Sequence, residues 1–255
     1  MTVAIPGLPD DAVPLRMVRF SPGTFLKGSP DDEKGRKPFE GPQHEVTIRD
    51  PFFIGESEVT QAQWKAVIGA LPKDMWKDNR GRGDNHPVYH VSWNDISETG
   101  GFLDRINEIA WGTFRLPTES EWDYACRAGS LPRYSYGDGR VKLEGCDKDA
   151  DLSVYAWFCG NTNFTRPVRT RRPNAMGLYD MHGNVGEWVQ DLFGDYALTP
   201  TDGTAHQEDP TQTNRVIRGG SWNEGARFNR TAARMHYPPD KRNAQWGFRV
   251  EWKPD

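Results

Sequence analysis

Asp180 and Glu187 lie seven residues apart in the run Asp180-Met181-His182-Gly183-Asn184-Val185-Gly186-Glu187. Two glycines let that stretch curl, turning both carboxylates and the carbonyls between them toward one point. Hard oxygen donors at this spacing suit Ca²⁺, which accepts about six to eight of them in flexible geometry. Taken alone, the residues allow a second reading, in which Asp180 caps a turn and Glu187 pairs with one of the many arginines.

A second chemistry-bearing stretch covers residues 221–246. It holds Ser221, Trp222, Asn223, Glu224, Arg227, Phe228, Arg230, His236, Tyr237 and Trp246. Arginine and aromatic residues on an irregular loop are the types enriched at binding hot spots. The competing reading is structural: arginines in loop-rich folds bind backbone carbonyls and carboxylates, and Trp222 and Trp246 fit a core equally well. Glu224, Asn229 and His236 are weak catalytic candidates, because one carboxylate without an identified partner does not make an acid–base pair. The six histidines are scattered. Only His86 and His90 are close, and Pro87 between them argues against a shared helical face. No nucleophile-elbow motif is present. No catalytic residue is assigned.

The chain has 255 residues, enough for a sizeable core, but only 36% of them are hydrophobic. Ten tryptophans supply large buried areas instead. With 26 glycines and 19 prolines, much of the chain belongs in turns and loops. A net charge of −4 gives no global reason to expect nucleic acid or an anionic membrane. The first thirteen residues have neither a basic start nor an apolar run, so a cytoplasmic protein is expected. Cys126, Cys146 and Cys159 are expected as reduced thiols, with Cys126 buried in a helix and no bridge between the other two.

Capping signals place the helices. Thr60 with Gln63 opens residues 61–68, Ser92 with Asp95 opens 93–109, and Thr118 with Glu121 opens 119–128. Gly100-Gly101 weakens the second of these as one continuous helix. Short strands are expected at 17–20, 24–28, 44–48, 52–54, 215–218 and 248–252. Residues 130–175 and 194–214 read as turns and loop. The expected fold is a single α+β domain over 15–255, with residues 1–14 as a tail, few regular elements and long loops.

Three motifs carry a family resemblance: Gly177-Leu178-Tyr179-Asp180 through Glu187-Trp188, then Arg218-Gly219-Gly220-Ser221-Trp222, then Gly247-Phe248-Arg249. Gly41-Pro42-Gln43-His44, Glu58-Val59-Thr60 and Arg115-Leu116-Pro117-Thr118-Glu119-Ser120-Glu121-Trp122 extend it over nearly the whole chain. The chain resembles the formylglycine-generating enzyme, or sulfatase-modifying factor, family. That resemblance implies a C-type-lectin-like domain. It also implies a structural Ca²⁺ held by the side chains of Asp180 and Glu187 and the carbonyls of Gly183 and Val185. Gly186 stands where the family often has tryptophan, which removes aromatic packing beside the loop.

In these enzymes a cysteine lies three residues after the serine of the Gly-Gly-Ser motif and a second lies five further on. The pair binds Cu(I), and oxygen then oxidises a substrate cysteine. Here Glu224 and Asn229 stand at that spacing, and no cysteine follows Cys159. A carboxylate and an amide do not replace thiolates for Cu(I), so the copper-dependent oxidase activity is not expected. The resemblance extends to diversity-generating-retroelement target proteins, whose matching segment is a variable ligand-binding face. The expected function is therefore a calcium-stabilised, non-catalytic recognition module. It would bind a protein, peptide or small ligand through 223–246, alone or within a larger assembly, with no membrane or nucleic-acid partner. The alternative is an enzyme performing cysteine-independent, including oxygen-dependent, modification of a peptide or metabolite.

Overall fold

The three expected caps form as complete capping boxes. Thr60, Ser92 and Thr118 each accept from the backbone N–H three residues on, while Gln63, Asp95 and Glu121 reach back to the cap. They open α1 (Gln61–Ile68), α2 (Trp93–Ser97) and α4 (Glu119–Arg127). The long helix expected over 93–109 breaks in two. Gly100 adopts φ +80°, and a new helix, α3 (Phe102–Ile109), starts from Gly101. A short α5 (Ala150–Tyr155), capped by Asp149, lies in the region read as turns. The computed structural model describes residues 1–139 and 142–254.

Eleven strands run among the described residues, most of them short. They are β1 (Thr2–Val3), β2 (Leu15–Phe20), β3 (Gly23–Lys27), β4 (His44–Ile48), β5 (Phe52–Gly55), β6 (Thr113–Arg115), β7 (Gly186–Leu192), β8 (Arg215–Arg218), β9 (Arg234–Tyr237), β10 (Trp246–Gly247) and β11 (Glu251–Lys253). One sheet has the order β1-β2-β5-β11-β6, a second β10-β7-β8-β9, and β3 and β4 form a hairpin. Of the strand expected over 248–252, only the end forms, as β11 entering one sheet between β5 and β6, while β10, just before the expected strand, pairs parallel with β7. Residues 1–14 are not a loose tail, because β1 pairs with β2 and Val3, Ile5 and Ala12 are buried.

Aromatic residues fill the largest core. Trp64, Phe102 and Phe248 stack or meet edge to face within 5.0 to 6.1 Å. Trp188, Trp246 and Trp252 are buried in the same cluster. A second cluster packs α4 through Trp122 and Ala125 against Val46, Ile54 and Val189. Trp246 also answers the expected loss at Gly186, since a Cβ there would lie 3.4 Å from its Cδ1 and 2.8 Å from Ile217 Cγ2. Aromatic packing beside the acidic loop is retained from another part of the chain.

Buried charge supplies what the modest apolar content does not. Glu119, at the start of α4, accepts from Arg234 Nε at 2.6 Å and Arg218 Nη1 at 2.7 Å, with Lys27 Nζ at 3.4 Å. Asp123, one turn on, takes Arg218 and Arg127. These contacts tie α4 to β3, β8 and β9. Burial works to raise the Glu119 pKa, but Arg234, Lys27 and Arg218 outweigh it and hold the carboxyl well below the usual range.

The thiols divide differently from expectation. Cys126 is free and buried, as expected, and burial pushes its thiol up to about 12. Cys146 and Cys159, expected as separate reduced thiols, form a disulfide. Their apposition arises from the loop closing over α5, which local pattern does not reveal.

Candidate functional site

β8 ends in a sharp turn, with Gly219 at φ +93° and Gly220 at φ +70°. A Cβ on Gly220 would meet Phe228 O and Asn229 Oδ1 at 2.6 Å, so only glycine lets the following loop approach. The turn delivers Ser221 into the interior. Its hydroxyl lies 3.0 Å from Glu224 Oε2 and 3.2 Å from Gln245 Oε1. A hydroxyl has one proton to give. With the Gln245 amide turned so that its nitrogen faces Ser221, the order becomes Gln245 to Ser221 to Glu224.

Glu224 is half-buried. Burial pushes its carboxyl up to about 7, and the single Ser221 hydrogen bond opposes this only in part. Asn229 closes the loop beneath it, with Nδ2 donating to Glu224 O at 3.1 Å and Gly225 O at 2.8 Å. Its Oδ1 is buried without a partner. Cys159 N–H also donates to Glu224 O, at 3.2 Å, so the disulfide borders this loop. His182 braces the other side. Ser135 N–H donates to its Nε2 at 3.1 Å, which makes Nδ1 the donor to Asn229 O at 2.9 Å. Burial lowers the His182 pKa to about 4 and keeps the imidazole neutral. The two residues at the family's cysteine spacing therefore share one braced loop. The carboxylate among them is suited to exchanging protons near neutrality.

The proposed ligand face divides. Arg230 is buried, paired with Glu40 at 2.6 Å and with Glu33. Trp222 is buried, and its Nε1 donates to Ala244 O at 3.1 Å. His236 stacks on Phe193 at 3.8 Å, and Trp246 packs on Tyr237 at 4.2 Å. Asn223, Phe228 and Tyr237 are exposed, and Arg227 is partly so, with its Nε on Gly35 O. Phe228 sits beside Lys37, whereas Tyr237 sits at the far end of β9 against Trp246. The ten residues do not make one continuous surface.

In the acidic loop, Glu187 Oε2 accepts from Trp122 Nε1 at 2.7 Å and Arg249 Nε at 2.6 Å, while Oε1 accepts from Arg249 Nη2 at 2.7 Å. Arg249 thus forms the arginine pair that the residues alone allowed. Asp180, at φ +59°, accepts from Arg169 N–H through Oδ2, and its Oδ1 is buried without a partner. Burial pushes its carboxyl up to about 6. Glu58 is a third buried carboxylate, accepting from Val185 N–H and Asn184 Nδ2, both at 3.2 Å. Burial, then Asp180 and Glu187, push it well above the ordinary range.

Among the described residues, Arg249 is the one guanidinium in an ion pair with a carboxylate of this trio. Among the described residues no group of three or more acidic, histidine or cysteine side chains is placed to hold a metal ion; Asp180 Oδ1 is unclaimed, whereas both oxygens of Glu187 are held by Arg249. Glu58 and Arg249 were not among the expected site residues. Glu58 stands in a quoted motif, but nothing local announces that it faces residues 126 positions away.

Comparison with known proteins follows the same lines. Residues 9–254 match the family described as the sulfatase-modifying factor enzyme 1-like domain. The formylglycine-generating enzyme of Streptomyces coelicolor is 32% identical, over 91% of this chain and 87% of its own length. That of Mus musculus is 28% identical, over 96% and 77%. Among solved structures, PvdO from Pseudomonas aeruginosa superposes with a TM-score of 0.80 at 32% identity, covering 99% of this chain and 98% of its own. Treponema denticola variable protein 1 gives 0.73 at 25% identity, covering 100% and 99%. The expected α+β fold is shown by these neighbours, and the chain belongs to the sulfatase-modifying factor family typified by formylglycine-generating enzymes.

Proposed function

We propose that this chain is an enzyme of cysteine-independent chemistry, in which Glu224 moves a proton to or from a bound small molecule or peptide. The observation that carries this reading is the half-buried Glu224 carboxyl, pushed up to about 7 and hydrogen-bonded to Ser221. A group with that pKa exists in both protonation states near neutral pH, which is what general acid–base catalysis needs. Ser221 and Gln245 orient it, and Asn229 fixes the loop that carries it. The recognition-module reading draws less support, because its residues are largely spent on internal contacts.

Ca²⁺ in this reading is structural. Asp180, Glu187 and the carbonyls of Gly183 and Val185 would hold it, offsetting the buried negative charge and fixing the loop that ends at β7. Cu(I) has no place in the proposal, since Cys146 and Cys159 are joined in a disulfide and Cys126 is the one free cysteine, which leaves no pair of thiolates.

The direct test is ¹³C NMR of glutamate-labelled protein, with Glu224→Gln assigning the resonance. A Glu224 carboxyl titrating near 7 supports the proposal, and one titrating below 5 removes its basis. Stoichiometric tight Cu(I) binding with conversion of a cysteinyl peptide to an aldehyde would overturn it outright.

A further inference from the structure

We infer that Arg166 and Arg171, converging on the indole of Trp157, form a binding site for an oxyanion. The Arg171 guanidinium lies 3.5 Å from the Trp157 ring centroid and the Arg166 guanidinium 5.2 Å from it, with Arg166 also 4.4 Å from the Phe164 ring. Two cations thus share one aromatic platform. Arg166 repels the Arg171 charge, and an indole face offsets that repulsion only in part.

Neither guanidinium has a carboxylate within 4.0 Å among the described residues, whereas neighbouring Arg169 is paired with Glu56 at 3.2 Å. Arg166 spends its Nε on the Thr162 hydroxyl at 3.0 Å, a neutral acceptor. Arg171 Nε is buried with no acceptor at all. The indole against which Arg171 lies covers that nitrogen, and the guanidinium as a whole has no anionic partner among the described residues. Burial and the nearby Arg166 both lower the Arg171 pKa, while Asp180 counters them from beyond ion-pair distance. A countercharge for these two guanidiniums would be negative.

Phosphate, sulfate and carboxylate groups all meet that requirement, because paired N–H donors of arginine match their oxygens. The platform is fixed in place before any ligand arrives. Trp157 Nε1 donates to Thr170 Oγ1 at 2.9 Å, and Arg166 N–H donates to Asn184 Oδ1 at 2.9 Å. Asn184 O in turn accepts from Trp222 N–H at 2.9 Å, so the site adjoins the Ser221 turn without being part of it. The inference stands independently of any catalytic role for Glu224.

The test is isothermal titration calorimetry of the full chain at constant ionic strength, with inorganic phosphate, sulfate and acetate as separate probes against a chloride background. Saturable one-to-one binding of at least one probe is expected, and comparison of the three distinguishes a tetrahedral from a planar oxyanion. Arg166→Met and Arg171→Met should each weaken that binding at least tenfold. Arg105→Met, at an exposed pair with Glu108 on α3, should leave it unchanged. If Arg171→Met fails to fold, Arg171→Lys keeps the charge but not the fork, and at least a fivefold loss is expected. No saturable heat with any probe, or undiminished binding in a folded Arg166 or Arg171 variant, would overturn the inference.

Discussion

The Ser221 hydroxyl lies 3.0 Å from Oε2 of Glu224, and it is the only side chain bonded to that carboxylate among the described residues. One neutral hydrogen bond is a small return for losing water, so the native state binds the Glu224 proton more tightly than the unfolded chain does. The sign follows directly. The stabilisation is present below the unfolded value near 4.5 and is lost as pH rises through about 7. Glu224→Gln keeps the shape and removes the charge. At pH 8 it should raise stability by about 1–3 kcal/mol, or a few degrees in Tm. The gain should shrink at pH 5. Thermal melts of both proteins at the two pH values check this, and identical melts would mean that Glu224 is not perturbed.

Glu119 behaves in the opposite sense. Its pKa is depressed, so its contribution is present above about 4.5 and fades as the pH falls through the lowered value. Glu119→Gln leaves Arg218, Arg234 and Lys27 buried without their shared carboxylate. Breaking a buried pair from one side costs about 3–5 kcal/mol. Urea denaturation at pH 7 should show that loss, with the midpoint moving and the slope unchanged. A loss below about 1 kcal/mol would mean that these ion pairs contribute little.

Calcium removal gives a third measurement. Ligand at a hundredfold over its Kd stabilises by about 2.7 kcal/mol. Protein stripped with a chelator should therefore melt about 5–10 °C below calcium-loaded protein. Asp180→Ala should abolish the difference, because it removes the unclaimed carboxylate oxygen. Equal Tm with and without calcium would remove the ion from the account.

Thiol counting addresses the disulfide. In native, unreduced protein no thiol should react, because Cys126 is buried and Cys146 is bonded to Cys159. Denaturant should expose one thiol, and denaturant with reductant three. Closing a loop of this size stabilises by about 3 kcal/mol, so Cys146→Ser with Cys159→Ser should lose up to that amount. Three thiols without reductant would restore the reduced state expected from the sequence. A bridge that survives purification would instead point to an oxidising compartment, against the cytoplasmic expectation.

Local chemistry was the legible part of this chain. Thr60, Ser92 and Thr118 are followed three residues later by the side chains that complete their caps, so helix starts could be placed to the residue. The strands β3, β4 and β8 follow short apolar alternation, although the pairing of β3 with β4 does not. What was hidden depends on pairing across large separations. Residues 248–252 look like one strand, yet only Glu251 and Trp252 of them pair, because β5 and β6 claim that end. Arg230 reads as a surface recognition residue or an internal clamp with equal ease, and only Glu33 and Glu40, far away in sequence, decide for the clamp. The Glu224 position was visible from motif spacing. Its perturbation was not, because that arises from what folds over it.

The placement of β11 bears on how the molecule is made. Glu251 and Trp252 sit between β5 and β6, so two stretches of sheet laid down early in synthesis cannot be joined until residues near 253 have left the ribosome. Folding here must wait for its keystone. Until then the flanks of Phe53 and Phe114 lack their partner strand, which makes the interval before β11 docks the time of greatest exposure to aggregation.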